Sequence, residues 1–91
     1  MKQKTEEALK TWMAFSPESY HECDMDRFHE LFNIALKEED LDALWGIELA
    51  PYVYEAKPNA TDEYVTNFCE EWEDRISTCV QLLRYLKTHS C

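Results

Sequence analysis

Residues 62–88 hold neither glycine nor proline, and their apolar residues recur at helical steps. Val65, Phe68, Trp72, Ile76, Cys79, Leu83 and Leu86 follow one another at intervals of 3, 4, 4, 3, 4 and 3. Such steps keep side chains on one side of a helix, whereas a half-buried strand needs steps of two. Cys69 and Val80 widen the stripe. Thr61 stands where it can cap the first turn, and Asp62 and Glu63 suit the positive end of the helix dipole. A helix of this extent is about 40 Å long. In a chain of 91 residues it must be the spine on which the rest packs.

The other segments also read as helices. The first starts at Thr5 as cap and carries Ala8, Leu9, Trp12, Met13 and Phe15 on its apolar face. Pro17 ends it, because the residue before a proline avoids the α region. Residues 17–22 read as one turn or a short helix. A second long helix begins at Asp24 as cap, with Met25, Phe28, Leu31, Phe32, Ala35 and Leu36 on one face about 140° wide. The run Lys37-Glu38-Glu39-Asp40 closes it, and Asp40 can cap the next element.

That third element, over residues 41–49, has Leu41, Leu44 and Trp45 inward. Gly46, the one glycine, allows two outcomes. Either the helix runs through it and turns Glu48 inward, or it stops there and leaves Glu48 exposed, which is the preferred reading. Residues 50–60, bracketed by Pro51 and Pro58, read as non-helical and extended, with Tyr52 and Tyr54 on one side and Val53 on the other. One glycine and three prolines are too few for the many turns of an all-β fold. The expected fold is therefore all-α: one domain over 1–91, with three main helices, one short helix and the C-terminal helix as spine. Trp12, Phe28, Phe32, Trp45, Phe68 and Trp72 are its expected aromatic core, with His29 half-buried at the edge, whereas Tyr85 falls outside the stripe of the last helix.

Charge narrows the function. The chain has 19 acidic and 9 basic residues, for a net charge of −10. Residues 5–74 carry a local net of −15 and residues 75–91 a net of +3. An acidic body repels phosphates, so direct nucleic-acid binding is not expected. No apolar run approaches a membrane span, and no apolar stretch of signal-peptide type follows the N-terminal residues, so a cytoplasmic location is expected.

Recognisable chemistry is sparse. There is no phosphate loop, nucleophile elbow or HExxH motif, so an enzyme is not expected and no cofactor is implied. Cys69 and Cys79 lie ten residues apart on one helix, too far to pair, and read as small buried apolar side chains. The pairs His21/Cys23 and His89/Cys91 could together supply four nitrogen and sulfur ligands for zinc, although their spacing matches no familiar finger.

What remains is surface. Glu38, Glu39 and Asp42 form one acidic group, and Glu70, Glu73 and Asp74 lie opposite the apolar stripe of the last helix. With Tyr52 and Tyr54 they are the expected contact residues for a protein partner with a basic surface. Rows of carboxylates can also imitate nucleic-acid phosphates and so occupy a basic groove on an inhibited protein. The competing expectations are a homodimer built on the last helix, with the chain otherwise a monomer, and a small zinc-binding protein.

Overall fold

The structure, a computed structural model, describes residues 1–15 and 22–89. Among these residues the chain forms α1 (Gln3–Ala14), α2 (Met25–Lys37), a 3₁₀ turn (Leu41–Ala43), α3 (Ala50–Ala56) and α4 (Asp62–His89), with no strand. The all-α expectation holds, with α4 running the length of a body whose extents are 46 × 22 × 20 Å.

α1 begins earlier than expected. Thr5 is fully buried inside the helix, and Lys2 precedes the first turn. The Lys2 amide donates to Asp40 Oδ2 at 2.7 Å, and its ammonium donates to the Glu38 carbonyl. The start of α1 is thus tied to the end of α2. The turn expected over 17–22 lies, apart from non-helical Glu22, outside the described residues. Asp24 caps α2 as expected, accepting from the Arg27 amide at 3.1 Å.

Two expectations are corrected after α2. No helix spans 41–49: the backbone makes a single 3₁₀ turn, and Gly46 takes φ +67°, a left-handed geometry that ends any helix. Glu48 is exposed, as the preferred alternative requires, but Trp45 is also 45% exposed and not in the core. The stretch from 50 to 56 is helical, not extended. Pro51 sits in its first turn, where the missing N–H has no intrahelical partner to lose, and Pro58 lies beyond its end.

The core is a layer of rings. Trp12 of α1 lies 5.0 Å from Phe28, 5.7 Å from Trp72 and 6.1 Å from Phe68, centroid to centroid. Phe28 lies 5.3 Å from Trp72. These bulky rings stand between α4 and the α1–α2 pair, so α4 meets that pair through side chains more than through close backbone approach, while α1 and α2 lie close together. Leu9, Leu31, Leu44, Leu49, Val53, Ile76 and Val80 are among the aliphatic side chains buried around them. Met25 and Leu36, expected inside, are exposed at the ends of the α2 stripe. The buried stripe of α4 stops at Val80, and Leu86, also expected inside, is 52% exposed.

Candidate protein-binding surfaces

The short α3 and the middle of α4 enclose a shallow concavity of ≈ 410 Å³. Glu48, Glu70 and Glu73 line it, with Tyr54, Thr66 and Cys69. No lysine or arginine lines it. The local geometry follows from two interruptions. Gly46 turns the chain so that Glu48 and Leu49 face α4, and Leu49 precedes the first turn of α3. The Leu49 amide donates to Glu73 Oε2 at 2.8 Å, so a carboxylate from α4 satisfies an orphan N–H at the positive end of α3. Opposite, the Tyr54 hydroxyl donates to Asp62 Oδ1 at 2.8 Å. That bond favours the protonated phenol, and the Tyr54 pKa is raised. Thr61 Oγ1 accepts from the Tyr64 amide at 3.1 Å, fixing the start of α4 as expected.

Cys69 lies against the same wall. Burial, with the nearby Glu73 carboxylate second, pushes its thiol up to about 12. Burial also raises Cys79, and it is the first cause of the raised Cys23 thiol. All three thiols are half-buried and free. Cys69 and Cys79 pack at the rim of the core, so they are more exposed than the sequence suggests.

The expected contact residues divide among four places. Glu70, Glu73 and Tyr54 converge on the concavity, joined by Glu48. Asp74 lies on the other flank of α4, facing α2. Glu38, Glu39 and Asp42 form a separate corner where α2 ends. There Glu38 lies 3.6 Å from Lys4, and Asp42 lies 3.3 Å from Arg84. Tyr52 does not share a side with Tyr54. Residues two apart are on one face of a strand but about 200° apart on a helix, so Tyr52 packs towards Lys10 and Met13 of α1. Its phenol is raised, first by burial.

The concavity was only partly legible in the sequence, because Glu48 joins Glu70 only once the chain has turned at Gly46. The cations are largely engaged by the molecule's own groups. Arg27 pairs with Asp24 and lies 3.7 Å from the Phe15 ring centroid. Arg75 pairs with Glu71 and lies 4.4 Å from that of Trp72. Lys10 reaches Glu6 and Glu55 at 3.7 and 3.8 Å. Glu48 and Glu70 have no cation within 4 Å among the described residues.

A second depression, of ≈ 500 Å³, runs between α2 and α4. It is mostly apolar, with Met25, Phe28 and Phe32 on one side and Trp72, Cys79 and Leu82 on the other. His29, expected half-buried, is exposed on its rim, with its ring 6.4 Å from Phe28.

Of the four zinc candidates, His21 and Cys91 lie outside the described residues. Cys23 feels the charge of Arg75, while the His89 ring meets Tyr85 edge-on at 4.1 Å in the last turn of α4, about 21 Å farther along that helix. Among the described residues no three His, Cys, Asp or Glu side chains are grouped to hold a metal ion. No described helix is long and apolar enough to cross a membrane. No protein-family model, curated protein or solved structure matches the chain.

Proposed function

We propose that this protein is an acidic binding module, not an enzyme, that receives lysine or arginine side chains of a partner protein in the α3–α4 concavity. The observation that carries this reading is the convergence of Glu48 and Glu70 on one hollow with no lining cation. Carboxylates that converge on one hollow act together on a cation more strongly than the same groups scattered over an open surface. The rigid support comes from Glu73, which is occupied by the Leu49 amide and therefore shapes the hollow more than it offers charge. Tyr54 supplies an aromatic wall beside it. A partner that normally holds nucleic-acid phosphates presents the fitting chemistry, and the charge of −10 would speed the encounter at low salt. The half-buried free thiols are in keeping with a cytoplasmic setting.

The test is a graded-salt capture from host extract with the native protein and with Glu48→Lys/Glu70→Lys. Both residues are exposed, so the variant is expected to fold. The native protein is expected to retain a basic partner at 50 mM salt and release it by about 500 mM, where the screening length falls to a few ångströms. The variant is expected to retain at least tenfold less at low salt. Retention that ignores both salt and the substitutions would sink the reading.

A further inference from the structure

Cys23 and Met25 bring two sulfur atoms together where the chain enters α2. The backbone sets this locally. Asp24 precedes the helix with φ −75° and ψ 101°, and the two neighbours of an extended residue point to the same side. Cys23 Sγ donates to Met25 Sδ at 3.3 Å. Cys23 is half-buried and its thiol is free, while Met25 is 48% exposed, so the pair is reached from solvent on the Met25 side. His29 follows Met25 by one helical turn, and both line the α2–α4 depression.

The donor atoms select the ligand. A thiolate and a thioether are soft donors, which suit Cu(I) better than magnesium, calcium or zinc. The hard donor between them is already engaged. Asp24 accepts from the Arg27 amide through Oδ1 and pairs with the Arg27 guanidinium through Oδ2. Metal–sulfur bonds of about 2.3 Å let one ion span two sulfurs up to about 4.6 Å apart. The 3.3 Å pair is inside that limit, and the flexible Met25 thioether can rotate outward to widen the angle at the metal. The positive charge of Arg75 favours the Cys23 thiolate.

We propose that Cys23 and Met25 form a Cu(I) site, with the His29 imidazole as third ligand. On binding, the ion takes the place of the thiol proton. The S–H bond breaks, the proton passes to solvent, and the sulfur electron pair forms the S–Cu bond. Copper stays Cu(I), so no electron is gained or lost. Three donors, one of them a thioether, leave zinc short of the four it prefers. The site shares no residue with the α3–α4 concavity and stands apart from the proposed function.

Titration of the reduced full chain with Cu(I) against the chromogenic chelator bicinchoninate tests this. The native protein is expected to withdraw one equivalent of copper from the chelator. Cys23→Ser is expected to abolish that competition, Met25→Leu to weaken binding at least tenfold, and His29→Gln to weaken it severalfold. Helicity is expected to hold in all three, since Met25 and His29 are exposed and Cys23 precedes α2. Cys69→Ser, in the α3–α4 concavity, is expected to bind copper as the native protein does. Ag(I), a redox-stable stand-in, is expected to shift the Met25 methyl resonance and to leave that of buried Met13 in place. A native chain that yields all its copper to the chelator overturns the inference. So does unchanged affinity in Met25→Leu or His29→Gln, or zinc held as tightly as copper. None of these outcomes alters capture by Glu48 and Glu70, so failure here is separable from failure of the proposed function.

Discussion

Glu39 occupies a position that a glycine would fill at lower cost. Its φ is +56°, and the two hydrogen bonds around it define a Schellman ending to α2: Asp40 N to Ala35 O at 2.7 Å and Glu39 N to Leu36 O at 3.2 Å. A side chain with a Cβ is strained in this left-handed geometry. A carboxylate at a helix C-terminus is also opposed by the dipole. Glu39→Gly is therefore expected to stabilise the fold by about 1 kcal/mol, read as a higher urea midpoint with unchanged slope. A loss of stability would show that the Glu39 side chain makes a contribution larger than its backbone strain. Gly46 is the converse case, with φ +67° met by the one residue that bears it without strain.

At the scale of elements, α3 shows how little local sequence decides a short helix. Seven residues cannot hold a helix in water on propensity alone. Two anchors from outside the segment hold this one. Val53 is buried against the core, and Glu73 of α4 accepts from the amide that leads into its first turn. Glu73→Ala removes a charged acceptor from a half-buried N–H and is expected to cost about 2 kcal/mol. Chemical denaturation measures that cost, and amide exchange should quicken across residues 49–56 before the rest of the molecule responds. A cost below about 0.5 kcal/mol would mean that water replaces the carboxylate without penalty. The partner-binding variants of Glu48 and Glu70 therefore leave Glu73 in place.

For the whole molecule, two electrostatic effects oppose each other as pH falls. A net charge of −10 repels itself, and acidification towards the isoelectric point near 4.6 relieves that strain. Asp24 and Asp40 act the other way. The Arg27 amide and guanidinium hold the Asp24 carboxyl below its usual range. At Asp40 partial burial works upward, but the bond from the Lys2 amide and the nearby Thr5 hydroxyl outweigh it, and the pKa is again lowered. Groups with lowered pKa values contribute stability that is present above their ordinary pKa, near 3.8, and is lost as pH falls through the folded value. Thermal melts are thus expected to rise from pH 7 to about pH 5 and to drop below about pH 4. A midpoint that falls steadily from pH 7 to pH 3 would show that self-repulsion is too weak to register.

The sequence by itself determined what depends on neighbours along the chain. Intervals of three and four placed α2 and α4, and Asp24 and Thr61 cap them as read. Scarcity of glycine and proline settled an all-α fold. Helical phase placed Glu70 and Asp74 outward, where they are exposed, but not Glu73, which is half-buried and holds the Leu49 amide. Only the tertiary structure decided what depends on groups distant in the chain. It made a helix of residues 50–56, because the Glu73 carboxylate and the core around Val53 compensate for poor local signals. It sent Tyr52 and Tyr54 to different faces for the same reason. It exposed Trp45, because no helix spans 41–49 to turn it inward, and Leu86, because α4 runs past the body able to cover it; periodicity marks an apolar face without saying whether anything packs there. It also joined Glu48 to Glu70, which are 22 positions apart in the sequence and meet only because the chain reverses at Gly46. Helical periodicity is a local property carried by each segment. The site depends on where the segments end, and the start of α3 is set by the Leu49 amide, whose partner comes from Glu73 of α4.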